Sequence, residues 1–273
     1  MLGVRMWTLV LVAAAILVGG CGTQELEDEL SVQGAGGPLP VVVEGGGEPI
    51  PVAQEQVPRR CDVREERLGT SRAAYAARAR GAVAAFRRPG GPRMRVFQRT
   101  NVNGVRTVFG VLAAVRDRDC RVTSYRVQLP IRPNGATGYV PADRVRLFRV
   151  RTRIEIDLSE RRVDFFRNGR RVLRVPAAIG KNGTPTPVGR YYVNQRLLAP
   201  DPSGPFGPGA IGISAFSPVL TGWTQGGPIA IHGTNNPSSI GAAASYGCLR
   251  IENRHARRML YANPEGTPVV IRA

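Results

Sequence analysis

The chain has 273 residues, enough for one large domain or two small ones, and its 42% apolar content is ordinary for a globular protein. The formal net charge of +18 rests almost wholly on arginine, since Lys181 is the only lysine. Such a charge attracts anionic polymers, whether nucleic acid, wall polymers or lipid head groups, although a GC-rich genome leaves the same arginine bias. No zinc-finger spacing, helix-turn-helix pattern or aromatic-interleaved basic motif is present, so nucleic acid is set aside as a partner.

Arg5 gives a short positive start, and Met6 to Gly20 is an uncharged apolar run. That run is shorter than the roughly 20 residues of a comfortable membrane span. Its end, Leu17-Val18-Gly19-Gly20-Cys21, resembles a bacterial lipoprotein signal, with Val18 where leucine is commoner. The resemblance implies loss of residues 1–20 and a diacylglycerol on the Cys21 sulfur. At roughly 0.8 kcal/mol per buried methylene, several acyl chains would hold the protein on the extracytoplasmic face of a bacterial membrane. An ordinary cleaved signal and an uncleaved anchor are the alternatives. Residues 21–60 read as a flexible tether, acidic at Glu25, Glu27, Asp28 and Glu29 and then rich in glycine and proline. They carry too little apolar surface to offset ordering, and as a coil of about 39 residues they would reach roughly 35 Å.

Residues 61–149 read as a small β domain. The spacing predicts one exception, an alanine-rich helix capped by Thr70 or Ser71, running towards Phe86 and stopped by Pro89-Gly90-Gly91-Pro92. Short β-like runs follow at Met94–Phe97, Arg106–Val115, Ser124–Leu129 and Thr137–Val140, with Asn103-Gly104 and Asn134-Gly135 as turns. A small antiparallel barrel fits this pattern. The ending Gly138-Tyr139-Val140-Pro141-Ala142 resembles the close of a bacterial SH3-like domain, the alternative being a β-rich extension of what comes next. Cys61 and Cys120 could pair in an exported protein, or remain as two buried or free thiols.

Residues 150–273 read as a second β-rich unit. Ile154, Ile156 and Leu158 alternate along one face, and Asn168-Gly169 is a strong hairpin signal between Val163–Phe166 and Arg171–Val175. Gly189–Asn194, Pro228–Ile231 and Thr267–Arg272 look like further strands. Leu197 to Gly227 is a long Pro- and Gly-rich loop of the kind that forms lids or binding segments. Asn253 is placed to cap a short helix through Ala262, which Asn263-Pro264 would end.

The chemistry concentrates between His232 and Cys248. The chain has two histidines and four cysteines, and His232 precedes Cys248 by sixteen residues (248 − 232). A thiol becomes a strong nucleophile beside a base, and histidine is the usual base. Taken alone, Cys248 reads more readily as a small buried hydrophobe than as a nucleophile, and His232 more readily as a structural histidine at a strand edge than as a base. Gly247 permits close backbone approach, and the Gly247 and Cys248 amides could face a developing oxyanion. Arg250 would share a face with Cys248 in an extended segment and favour its thiolate. His255, in Arg254-His255-Ala256-Arg257-Arg258, reads as a solvated helix residue.

This block resembles the catalytic signature of bacterial L,D-transpeptidases of the YkuD type: a His-Gly pair, then Ser-x-Gly-Cys-x-Arg. The matching residues are His232-Gly233 and Ser245-Tyr246-Gly247-Cys248-Leu249-Arg250, with Asn253 also in its expected place. Thr184-Pro185-Thr186-Pro187-Val188-Gly189 resembles the family's upstream strand entry. One departure is Tyr246, where many members carry histidine. The resemblance implies a mainly β fold, an L,D-transpeptidase catalytic domain behind the small SH3-like barrel. It implies Cys248 as nucleophile, His232 as proton acceptor and donor, the Gly233 carbonyl as orienter of the imidazole, and the Gly247 and Cys248 amides as oxyanion hole. Ser245, Thr234, Tyr246 and Arg250 would support the loop or meet substrate. The implied substrates are peptidoglycan stem peptides, joined in 3→3 cross-links with release of D-alanine, with no metal or cofactor. Hydrolysis at the same site and a non-catalytic wall-binding lipoprotein are the competing readings.

Overall fold

The computed structural model describes residues 61–222 and 224–273. The expected signal segment, Cys21 and the tether lie outside them.

The first domain is one curled sheet of eight strands: β1 (Arg64–Arg67), β2 (Ala74–Ala79), β3 (Val83–Phe86), β4 (Arg93–Phe97), β5 (Val108–Arg116), β6 (Val122–Gln128), β7 (Thr137–Pro141) and β8 (Val145–Val150). Its order is β4-β3-β7-β6-β5-β2-β8, with β1 also on β5, and every pairing is antiparallel. Because β2 passes into β3 after only Arg80–Ala82's worth of chain, yet the two strands sit apart in the order, the sheet must curl. It closes around Ala77, Ala79, Val83, Ala85, Phe109, Val111, Val127, Leu129 and Val140. Cys61 and Cys120 form a disulfide with a Cα–Cα distance of 5.1 Å, tying the start of the domain to the β5–β6 turn.

The alanine-rich helix expected from residue 70 is absent; β2 and β3 stand there instead. Alanine's helix preference amounts to less than about 1 kcal/mol per residue and yields to strand pairing on both edges. β2 is also covered on both faces: Ala77 and Ala79 pack into the core of the curled sheet, while Ala76 packs with Val108 and Val150 on the other side. Small side chains suit that double burial.

The second domain contains β9 (Thr152–Asp157), β10 (Arg162–Arg167), β11 (Arg170–Pro176), β12 (Ile179–Gly180), β13 (Gly189–Leu198), β14 (Gly209–Phe216), β15 (Pro228–His232), β16 (Ala243–Ser245), β17 (Leu249–Arg250) and β18 (Pro268–Arg272), with one helix, α1 (Asn253–Ala262). Its main sheet runs β11-β10-β9-β18-β13-β14-β15-β17, and β12 pairs with β16 beside it. Ile154 and Ile156 are buried on β9 as their alternation requires, and Asn168 and Gly169 both take positive φ (52° and 81°) in the β10–β11 turn. A single core runs from Ile154 and Phe165 through Val193, Ile211 and Ile231 to Met259 and Ile271.

The stretch Leu197–Gly227 is not all loop. β14 runs through it, with Ile211, Ile213 and Ala215 buried. Its glycines and the prolines around it hid a strand whose alternation is short. The two domains meet where Tyr192, fully buried, lies against Gly110 on β5.

Candidate active site

β15 and β17 are parallel neighbours, with Ile231 opposite Leu249 and His232 opposite Arg250. That pairing brings the end of one strand beside the segment that carries Cys248. His232, Cys248, Arg250, Ser245 and Tyr246 all line one cavity of about 170 Å³. Pro205, Phe206, Ser217, Leu220, Gly227 and Pro228 complete its wall.

His232 is buried, and its Nδ1 lies 2.5 Å from the Gly233 carbonyl oxygen. A carbonyl can only accept, so Nδ1 carries the proton and Nε2 is left as a bare acceptor. The Gly233 carbonyl thus selects the tautomer a base requires. Burial lowers the imidazole pKa from 6.5 to about 4; the Gly233 bond opposes this shift and the Arg250 charge adds to it. Phe206 packs edge-on against the imidazole, with centroids 5.0 Å apart.

Cys248 sits on the cavity wall with its sulfur 4.0 Å from the Pro228 carbonyl. Burial pushes its thiol pKa up, and the Ala230 N–H and the Arg250 charge offset this only in part. The sequence reading has Arg250 favour the thiolate. It acts in that direction, but desolvation outweighs it. Both shifts favour a neutral thiol beside a neutral imidazole near neutral pH. Such a pair suits general-base activation, in which the proton leaves sulfur as the new bond forms.

The Gly247 amide departs from expectation. It donates to Ser245 Oγ at 3.1 Å and is therefore occupied rather than turned to an oxyanion. Ser245 Oγ in turn donates to the Cys248 carbonyl at 2.5 Å. The serine is thus a brace inside the loop that carries Cys248. Gly247 has φ +112°, and a Cβ there would come within 2.9 Å of Ile229 Cδ1, so the turn needs glycine.

The Thr184–Thr186 segment lies beneath this loop. Thr184 Oγ1 donates to the Ser245 carbonyl at 3.2 Å, and Thr186 Oγ1 donates to the Gly247 carbonyl at 2.9 Å. Thr186 Oγ1 also accepts the Gly180 N–H at 2.9 Å. Two motifs about 60 residues apart in sequence are therefore one hydrogen-bonded unit.

Thr234 does not line the cavity. It is buried, and its N–H donates to Asn253 Oδ1 at 2.7 Å. Asn253 is accordingly not the helix cap: Glu252 occupies the cap position, and Asn253 opens α1 while its side chain holds the turn after His232. A side chain at Gly233 would collide with Asn253 Oδ1 and with Pro208, which accounts for glycine in the His-Gly pair. Tyr246 is half exposed at the rim, with Lys181 Nζ 4.5 Å from its ring centroid. His255 lies on α1 beside Glu252, at 3.8 Å, away from the cavity. Phe206, Ser217 and Leu220 escaped the sequence reading because a Pro- and Gly-rich stretch has no period to single out its members. The one available signal was the aromatic Phe206 between Pro205 and Gly207.

Residues 151–271 match the family model of the L,D-transpeptidase catalytic domain, YkuD. The chain is 40% identical over 119 residues to the Bacillus licheniformis protein named "Putative L,D-transpeptidase YkuD", and 36% identical over 118 residues to its Bacillus subtilis namesake. These alignments cover 44% and 43% of the chain and 64% of each relative, so the chain spans somewhat under two thirds of their length. Among solved structures, an L,D-transpeptidase from Mycobacterium smegmatis matches at 18% identity and a TM-score of 0.39, over 61% of this chain and 90% of the other. Residues 151–271, the stretch that holds His232 and Cys248, are thus similar to the L,D-transpeptidase catalytic domain, YkuD.

Proposed function

We propose that the chain is an exported, lipid-anchored L,D-transpeptidase that joins peptidoglycan stem peptides by 3→3 cross-links. The observation that carries this reading is the imidazole held by the Gly233 carbonyl with Nε2 unprotonated, on the same cavity wall as Cys248.

In this reading His232 Nε2 takes the thiol proton as Cys248 Sγ attacks the carbonyl of the third residue, a diamino acid, of a tetrapeptide stem. The C–N bond to D-alanine breaks, its amine leaves with the proton from His232, and a thioester remains. The side-chain amine of a second stem attacks the thioester, His232 accepts its proton and returns it to the departing sulfur, and a new amide results. With the Gly247 amide engaged by Ser245, the Cys248 amide is the backbone donor suited to the oxyanion. Arg250 lines the cavity and pairs with no carboxylate among the described residues, which supports a role in meeting a substrate carboxylate. The Leu17–Cys21 pattern supports anchoring through Cys21, with residues 22–60 as tether and residues 61–149 as an accessory SH3-like domain.

The test is mass spectrometry of protein and products after incubation with tetrapeptide stems and, separately, with a carbapenem. A dimeric muropeptide and a covalent adduct, both lost in Cys248→Ala, are expected. Trimmed stems without dimer would replace transfer by hydrolysis. No turnover and no adduct would leave a non-catalytic wall-binding protein.

A further inference from the structure

Part of the cavity wall comes from Ser217, Leu220 and Gly227, which lie in the segment that opens at Ser217 and closes at Gly227. This segment is pinched at its neck, where the Ser217 N–H donates to the Gly227 carbonyl at 2.8 Å. Inside it, Ser217 Oγ accepts the Leu220 N–H at 3.1 Å. The rest of the neck is held from the other domain. Arg132 Nη2 donates to the carbonyls of both Ser217 and Gly226, each at 2.7 Å, and its guanidinium lies 5.6 Å from the centroid of Phe216. Asn134 Nδ2 donates to the Phe216 carbonyl at 2.8 Å, and its Oδ1 accepts the Phe216 N–H at 2.9 Å. Asn103 and Gln225 add a third tie, with Gln225 Nε2 donating to Asn103 Oδ1 at 3.0 Å.

The location has a structural cause. The ladder between β13 and β14 ends at the Val193–Ile213 pair, while Gly189–Tyr192 of β13 pairs with β18 along the other edge. Phe216 therefore lies beyond the reach of β13, and Asn134 satisfies its N–H and C=O together, as a neighbouring strand would. Immediately after Phe216 the chain enters the cavity wall, so whatever fixes this point fixes the wall.

We propose that Arg132 and Asn134 of the first domain are positioning residues for the reaction cavity, holding the neck of 217–227 so that Leu220 and Gly227 stand in place against the donor peptide. The inference rests on the reading of this cavity as the donor-stem site. The small β domain then completes the catalytic domain's substrate wall without touching the reacting atoms.

The test uses the whole chain with Arg132→Ala, Asn134→Ala and Arg132→Lys. Loss of two hydrogen bonds from one side chain is expected to raise KM for a tetrapeptide stem about fivefold and to change kcat less than about twofold. Amide hydrogen exchange is expected to accelerate over 217–227 and not over β15. Alkylation of Cys248 by iodoacetamide should keep its rate, since the His232 tautomer and the nucleophile loop are untouched. Lysine, which can reach one of the two carbonyls, should restore part of the KM. Unchanged exchange over 217–227 would overturn the clamp, and faster exchange with unchanged KM would overturn the positioning role. If the wild type turns over no stem peptide, the functional reading fails while exchange still decides the clamp. If Arg132→Ala does not fold, Asn134→Ala carries the same two measurements.

Discussion

His232 is the residue on which the site's chemistry turns. Its burial lowers its pKa to about 4, so the imidazole stays a free base well into the acid range. The acid limb of Cys248 acylation by a carbapenem is therefore expected near pH 4, not near the ordinary imidazole value of about 6.5. An acid limb between about pH 6 and 7 in a pH–rate series would instead mean that the imidazole keeps its ordinary pKa and is not desolvated in the working protein. The same shift has a cost in stability. Between about pH 6.5 and 4 the unfolded chain binds a proton at this histidine and the folded chain does not, so stability falls as pH falls through that window. The loss through this group is about 3 kcal/mol by pH 4. Urea unfolding of wild type and His232→Gln at pH 7 and pH 4 should show the variant losing about that much less on acidification.

At the scale of elements, the loop that carries Cys248 is a set of braces rather than a stable strand. β17 has two residues, and the turn before it relies on Ser245, Thr184 and Thr186. Thr186 is the keystone, because its hydroxyl satisfies the Gly180 N–H and the Gly247 carbonyl at once. Thr186→Val keeps the shape and removes both bonds, leaving the buried Gly247 carbonyl and the partly buried Gly180 N–H unpaired. It is expected to destabilise the fold by about 2 kcal/mol and to lower kcat/KM, and Thr186→Ser should recover most of both. Chemical denaturation and stem-peptide kinetics would check this. The Thr-Pro-Thr-Pro and Ser-Tyr-Gly-Cys motifs were each legible in the sequence, since their residue types are unusual together. Their contact was not, because nothing in either motif encodes the parallel pairing of β12 with β16 that brings them together.

At the scale of the molecule, the two domains share a buried seam. Tyr192 is fully buried against Gly110, and its hydroxyl has no hydrogen-bond partner among the described residues. Burial pushes its pKa strongly upward, and the neutral hydroxyl still lacks a partner. Tyr192→Phe removes that orphaned group without opening a cavity of consequence. It is expected to stabilise the protein by about 1 kcal/mol, read as a rise in melting temperature. A fall would mean that the hydroxyl is satisfied by water. Gly266, at φ +88° before β18, packs so closely on Ala76 of the first domain that a side chain there has no room. With the Arg132 and Asn134 contacts, this makes the seam extend from the domain cores to the reaction cavity.

The sequence by itself determined the mainly β character and the Asn168-Gly169 hairpin, and it singled out His232 and Cys248 as the candidate base and nucleophile, because alternation, turn chemistry and rare reactive residues are local properties. It misassigned residues 70–86 as helix and Leu197–Gly227 as loop, since alanine and glycine content describe an isolated segment and not the partner that buries it. Only the tertiary structure decided that the Gly247 amide belongs to Ser245 and that Asn253 braces the turn after His232 instead of capping α1. It alone joined the neck of the cavity wall to Arg132 and Asn134, more than 80 residues earlier in the chain. Each of these depends on hydrogen bonds between groups distant in sequence, and no local pattern carries that information.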